Sequence, residues 1–381
     1  MSTATAPVAA PALRTCASCH APIEFDPASG ALKCSYCGST EAIASVAEVP
    51  SHPLAEPPPG GVSVPGTKTM RCTNCGATAE LQLSNVATKC AFCGAPLVEA
   101  DQATTPAEGV VPFAVTREEA GKRFSDWLKG LWFRPSSLKR LADLKELRGV
   151  YVPSWIFDAS AESSWTAEAG YTYFDTETVT NDDGSTEERQ VERIRWEPAS
   201  GQHAESYVDL IVSGSRGLGP EELEKIGPFA LGDALFGFNR DFLAGFEAEA
   251  PAILPAEAWV TAAKWVEQFE YQACDREVPG DTHRFLNVDT RTSDESYQSA
   301  LLPVFIGAYA YAGKVFRVLV NGRTGETKGE APWSFWKITL FVLFIAAILA
   351  AIYFGFIQPH SAHQVVPDVA PAPHLHRYPG R

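Results

Sequence analysis

Apolar positions recur along this chain with two different periods, and the change of period divides it. Between residues 117 and 131, Ala120, Phe124, Leu128 and Leu131 fall three or four apart, the spacing that gathers side chains on one face of a helix. Past Pro135, Ser136 stands where it would cap a second helix carrying Leu138, Leu141 and Leu144, so a helical hairpin is predicted. From Gly149 the period changes, and residues 150–157 open a β region. Residues 171–180 and 189–197 alternate around Asn181-Asp182-Asp183-Gly184, a turn sequence between two strands. Helical spacing returns over 257–274 through Trp259, Ala262, Trp265, Val266 and Phe269. Residues 301–328 then read as a closing hairpin, turning at Ala312-Gly313-Lys314. Val152-Pro153-Ser154-Trp155 and Leu302-Pro303-Val304-Phe305 each follow an apolar run with proline and an aromatic, which suggests the opening strands of two related halves.

One apolar stretch has no period at all. Residues 338–357 contain no charge, and twenty residues make about 30 Å of helix, the thickness of a bilayer's hydrocarbon core. Trp333, Phe335 and Trp336 precede this stretch and Tyr353 lies near its far end, as interfacial aromatics do. A single transmembrane helix is predicted, with 333–357 as the anchor. Arg323, Lys328 and Lys337 flank its N-terminal side, whereas Arg377 and Arg381 beyond it are distant. The positive-inside rule then places residues 1–337 in the cytosol, at the inner membrane. Ala346/Ala350 and Ala347/Ala351 would let two such helices approach and form a homo-oligomer. The tail, 358–381, carries His360, His363, His374 and His376 among prolines and reads as disordered.

Cysteine is the chemically informative residue. Eight of the nine cysteines form two copies of Cys-x-x-Cys, fourteen residues, Cys-x-x-Cys, offset by 56 residues. Cys16, Cys19, Cys34 and Cys37 make the first copy, and Cys72, Cys75, Cys90 and Cys93 the second. Paired cysteines two apart let one tight turn aim both sulfurs at one ion, and the intervening fourteen allow a strand out and back. Two structural Zn²⁺ ions in small zinc ribbons are expected, closed by four sulfurs each. Gly38, Gly76 and Gly94 follow the second cysteine of a pair, where a positive φ is needed, and His20 takes that place in the first pair. A rubredoxin-type iron site ordinarily spans more residues between pairs. Disulfides would require export, and residues 1–13 lack the basic and apolar regions of a signal peptide.

The resulting plan is a disordered N-terminus (1–13), ribbon one (14–41), a Pro-rich linker (42–67), ribbon two (68–98) and a second linker (99–109). An α+β cytosolic domain (110–332), the anchor and the tail follow. The net charge of −15 argues against nucleic acid and anionic lipid as general partners. Residues 14–41 carry two basic and three acidic side chains and residues 68–99 three and two, so neither ribbon is a basic patch. No catalytic constellation emerges. His203 and His283 read as isolated surface histidines, Cys274 as a small buried hydrophobe, and residues 61–69 as a failed phosphate loop lacking the Gly-Lys step. The acidic turn at 181–184 lacks the ligand spacing of a calcium loop.

The tandem ribbons, the two Pro-aromatic segments and the run VLVNGRTGETKGEAPWSFWKI before the apolar helix together resemble bacterial membrane-anchored tandem zinc-ribbon proteins. Such proteins are often labelled primosomal protein N′ (replication factor Y)-like or RNA polymerase small-subunit-like. His20 is a departure, because relatives commonly have glycine there, and it is expected to loosen the first turn. The resemblance implies a scaffold at the inner membrane, with some relatives associated with phage-shock or SPFH-domain stress systems. The expected function is therefore a non-enzymatic adaptor whose partners are cytosolic or membrane-associated proteins. The alternative is a nucleic-acid-associated ribbon protein of replication or transcription, tethered to the membrane. A helicase is excluded by the missing nucleotide loop.

Overall fold

A computed structural model describes residues 14–44, 48–56, 67–82, 90, 92–93, 95, 97–99, 107–135, 147–180, 185–311 and 314–353. The N-terminus, most of the phosphate-loop near miss, the second predicted hairpin helix with Ser136, the turn at 181–184 and the histidine tail lie outside these residues.

The first four-cysteine segment forms a sheet of its own, in which β1 (Ile23–Asp26), β2 (Ala31–Cys34) and β3 (Thr40–Glu41) pair in chain order. Beyond it the chain is already docked. Val49 is buried, and β4 (His52–Pro53) pairs with Ser296 and Tyr297 of a much later strand. In the second segment β5 (Thr67–Cys72) lies between β6 (Thr78–Gln82) and β7 (Leu97–Glu99), and these strands extend the main sheet.

The main body opens with β8 (Gly109–Val110) and α1 (Arg117–Gly130). Thr116 starts α1 with a capping box: its hydroxyl accepts from the Glu119 N–H at 3.2 Å, and the Glu119 carboxylate accepts from the Thr116 N–H at 2.9 Å. The buried face is Ala120, Phe124 and Leu128, as their spacing predicts. Next come β9 (Arg148–Thr180) and β10 (Thr186–Ser213), an antiparallel pair running from Ser154↔Ser213 to Thr180↔Thr186. Two short helices, α2 (Pro220–Lys225) and α3 (Leu231–Ala234), lead through β11 (Phe236–Gly237) to β12 (Glu247–Glu249). The chain continues as α4 (Pro255–Glu277), β13 (Thr282–Tyr311), β14 (Lys314–Asn321) and β15 (Thr327–Gly329), and ends in α5 (Phe335–Ile352). The domain expected to be α+β is therefore largely β. Strands of 33, 28 and 30 residues dominate it, because the alternation that reads as short hairpins continues through bulges instead of ending.

The two Pro-aromatic segments turn out to be neighbours. Val152 faces Leu302 and Tyr151 faces Pro303 in the antiparallel β9–β13 pair. Around that pair the chain repeats a unit of short strand, helix, long strand and returning strand: β8–α1–β9–β10, then β12–α4–β13–β14. The short strands are exchanged. β8 pairs in parallel with β13, at Gly109↔Ala300, and β12 with β9, at Glu247↔Val150. The two-halves expectation thus has a physical form, an approximate two-fold arrangement about the central pair.

Burial along β9 changes twice. Residues 149–157 are buried on both faces, 157–169 alternate, and 173–176 are exposed on both faces. The base is enclosed by the core around Val150, Val152, Leu302 and Val304. The middle is covered on one face by α4, where Trp155, Phe157, Ala258, Ala262 and Tyr297 pack together. The tip, with Tyr173 and Phe174 exposed, is a two-stranded ribbon beyond the reach of β13, whose pairing ends at Thr282↔Gly170.

α5 is long and apolar enough to cross a membrane, and none of it is buried. Its first turn is tied to the segment following α1. The Ser334 N–H donates to Phe133 O at 2.9 Å, Lys337 Nζ donates to Arg134 O at 2.8 Å and Trp132 O at 3.2 Å, and the Arg134 guanidinium stacks 3.7 Å from the Trp333 ring centre.

Candidate metal centres

Each four-cysteine group is assembled from two tight turns facing each other. In the first, the Cys16 N–H donates to Ala21 O at 2.8 Å and the His20 N–H returns to Cys16 O at 2.9 Å. Cys34 repeats the pattern with Ser39 O at 2.9 Å and the Gly38 N–H at 3.0 Å, and Cys72 with Ala77 O at 2.7 Å and the Gly76 N–H at 3.1 Å. This closure needs a left-handed residue after the second cysteine. Gly38 has φ 75° and Gly76 φ 77°; His20 adopts φ 58°, so the turn without glycine has the same shape as those two. His20 is held in a conformation that disfavours a side chain by about 1–3 kcal/mol. His20→Gly is accordingly expected to stabilise the first site by about 1 kcal/mol, seen as slower metal loss to a chelator.

The eight sulfurs converge as their spacing predicts. Sγ–Sγ separations are 3.5 Å for Cys16–Cys37 and Cys19–Cys34, 3.4 Å for Cys72–Cys93 and 3.6 Å for Cys75–Cys90. A disulfide would bring sulfurs to about 2.05 Å, whereas a tetrahedron with metal–sulfur bonds of about 2.3 Å has edges of about 3.8 Å. The donor set fits a soft or borderline ion with tetrahedral preference, zinc foremost.

Electrostatics within each group favour a cation. Hydrogen bonds from Ser39 and from the Cys19 and Ser18 N–H groups lower Cys16 to about 6. Cys19 is favoured as a thiolate by the Ala21 N–H, but sulfurs of Cys37 and Cys34 outweigh this and push it up to about 12. In the second group burial raises Cys75 and takes Cys90 to about 11. Cys72 goes the other way: burial opposes its ionisation, yet the Cys75 and Asn74 N–H groups lower it to about 7. Four sulfurs so close cannot all carry charge alone, and a divalent ion removes the conflict.

Both groups are built into the protein. Phe25 of β1 meets Phe242 edge to face at 5.5 Å, its N–H donates to Ala244 O at 2.9 Å, and Arg14 pairs with Asp241 at 2.8 Å. Cys72, Ala77, Cys90 and Phe92 belong to the same core as Val152 and Leu302. Ala77 and Phe92 lie so close to Gly217 that a Cβ there would stand 2.8 Å from each. Thr78 is bonded twice to Ala250, and its N–H donates to the buried Glu249 carboxylate at 3.2 Å. None of this docking has a local sequence signal.

Of the other residues singled out, Cys274 is buried against Trp165 and Ala167, a core role, and His283 pairs with Asp275 at 2.9 Å. His203 is not isolated: it meets three glutamates across β10 and α4.

Comparison with known proteins adds little chemistry. No family model matches the chain, and no solved structure matches it. A protein of Bacillus subtilis (strain 168), described as "Uncharacterized protein YdjG", is 27% identical over 336 residues, covering 85% of this chain and 91% of that protein.

Proposed function

We propose that this chain is a non-enzymatic zinc-ribbon adaptor, anchored by α5 in the inner membrane and recruiting cytosolic proteins to it. The observation that carries this reading is the fixed attachment of both four-sulfur groups to one β body that leads directly into an unburied apolar helix. Four sulfurs per group fill a tetrahedral ion, so zinc at Cys16, Cys19, Cys34 and Cys37, and at Cys72, Cys75, Cys90 and Cys93, shapes a surface and leaves no position for a reacting water. Reduced thiols and the flanking Arg323, Lys328 and Lys337 favour the cytosolic side for the body. The envelope-stress setting rests on the family resemblance alone.

Tyr36 supplies the docking point. It sits between Cys34 and Cys37 on the outer turn of the first group and is 78% exposed, a large amphipathic ring held by a rigid loop. Proximity labelling with the full-length protein tagged at its N-terminus tests the adaptor reading. A set of membrane-stress proteins, reduced several-fold by Tyr36→Ala while zinc content is kept, is the expected result. Replication or transcription proteins as the dominant set, lost on mutating the ribbon cysteines, would overturn it in favour of the tethered nucleic-acid reading.

A further inference from the structure

His203, Glu205 and Tyr207 alternate along β10, so their side chains leave one face of the strand. α4 packs against that face and brings Glu270 and, two turns on, Glu277. His203 Nδ1 lies 2.7 Å from Glu277 Oε1, close enough to fix this nitrogen as the donor. The other ring nitrogen, Nε2, faces Glu205 Oε2 at 3.4 Å, within hydrogen-bond range, and Glu270 Oε1 at 3.9 Å. Two carboxylates facing one ring nitrogen call for positive charge there, brought by a proton on Nε2 or by a metal ion.

Glu270 makes the same demand independently. Its side chain is fully buried, the one charged group on the stripe Ala258, Ala262, Val266, Ala273 and Cys274. Oε1 accepts from the Tyr207 hydroxyl at 2.8 Å, while Oε2, also buried, has no hydrogen-bond partner among the described residues. Unpaired buried carboxylate oxygens are costly and rarely persist without a proton, a cation or a ligand. A proton on Nε2 would serve Glu205 but not Glu270, whose Oε1 at 3.9 Å is beyond hydrogen-bond range and whose Oε2 would still lack a partner among the described residues.

We propose that His203, Glu205 and Glu270 form a third metal site, for a divalent cation that accepts nitrogen and oxygen ligands, such as Mn²⁺ or Zn²⁺. The three donor atoms lie within 4.8 Å of one another, so a small movement brings each to one ion. Glu277 orients the imidazole from behind, and Tyr207 holds Glu270, the arrangement of outer partners that fixes ligands in histidine–carboxylate sites. Glu205 is 56% exposed and opens the site to solvent, leaving coordination positions for water. The site shares no residue with the sulfur groups and stands or falls apart from the adaptor reading.

Mn²⁺ is the probe that separates the two kinds of site, since carboxylate and imidazole suit it and thiolates favour zinc. Full-length protein in detergent micelles, with its sulfur groups loaded with zinc, is titrated with Mn²⁺ while the free ion is followed by electron paramagnetic resonance. One bound Mn²⁺ per chain is expected, displaced by added Zn²⁺ and weakened more than about tenfold in both Glu205→Gln and His203→Gln. Glu205→Gln changes an exposed side chain, so retained circular dichroism and zinc content show that it still folds. Absence of Mn²⁺ binding, with zinc stopping at the sulfur groups, overturns the site. So does Mn²⁺ binding that both substitutions leave unchanged.

Discussion

Replacing Cys90 with serine is expected to lower the stability of the whole β body, and by more than Cys37→Ser does. The asymmetry follows from where each sulfur sits. Cys90 and Cys72 lie in the main core with Val152, Leu302 and Val304, and their ribbon extends the main sheet through the β6–β12 pairing. Metal binding is worth about 10–16 kcal/mol to zinc-finger peptides at neutral pH, a scale comparable to the total stability of a domain. Losing one sulfur forfeits much of that, and with it the seat of Phe92 and Ala77 on Gly217. Cys37 is exposed, and among the described residues its three-stranded sheet shares no ladder with the main one, meeting it through side chains such as Phe25. The check is zinc content together with thermal unfolding of full-length protein in micelles, followed by near-ultraviolet circular dichroism. A Cys90→Ser melting temperature equal to that of the unaltered protein would refute the coupling.

Glu249→Gln should stabilise the protein at mildly alkaline pH and flatten its dependence on pH. Burial is the main cause that raises Glu249 from an ordinary 4.5 to about 8, only partly offset by hydrogen bonds from Ser215 and Thr78. The folded protein therefore holds this proton while the unfolded chain has already released it. Below about pH 4.5 both states are protonated, and the proton's contribution to stability is complete. It declines as pH rises toward 8, by an amount on the order of 4 kcal/mol at the top of the window. Glutamine keeps the acceptor for the Thr78 N–H and carries no charge to bury. Thermal unfolding of both proteins between pH 5 and 8.5 decides the matter: curves that stay parallel would show that Glu249 does not hold the proton.

What was legible beforehand is what depends on neighbours in the chain. The two sulfur groups follow from cysteine spacing, the apolar helix from one uncharged run, and α4 from the recurrence of Ala262 and Val266. Long-range pairing left no such trace. Nothing near Gly109 announces Ala300, and nothing in the Pro-rich stretch after the first ribbon announces that His52 will pair with Tyr297. Docking of the ribbons was hidden for the same reason: Gly217 and Glu249 matter only because Phe92 and Thr78 arrive beside them. The His203 cluster did leave a signal. Glu270 stands four residues after Val266 and four before Cys274, a charge on an apolar helical stripe, and His203-x-Glu205-x-Tyr207 places three polar groups on one strand face.

The exchange of short strands between the two halves bears on the order of events at synthesis. β8 emerges early but has its parallel partner only in β13, and β12 must find β9, made long before it. Neither half can complete its pairing without the other, so the β body cannot be finished while the second half is still being translated. Pairings so distant in sequence are slow to form and leave strand edges open in the meantime. Completion is thereby deferred until β13 is made, shortly ahead of α5, and maturation of the body falls at nearly the same moment as delivery of the apolar helix.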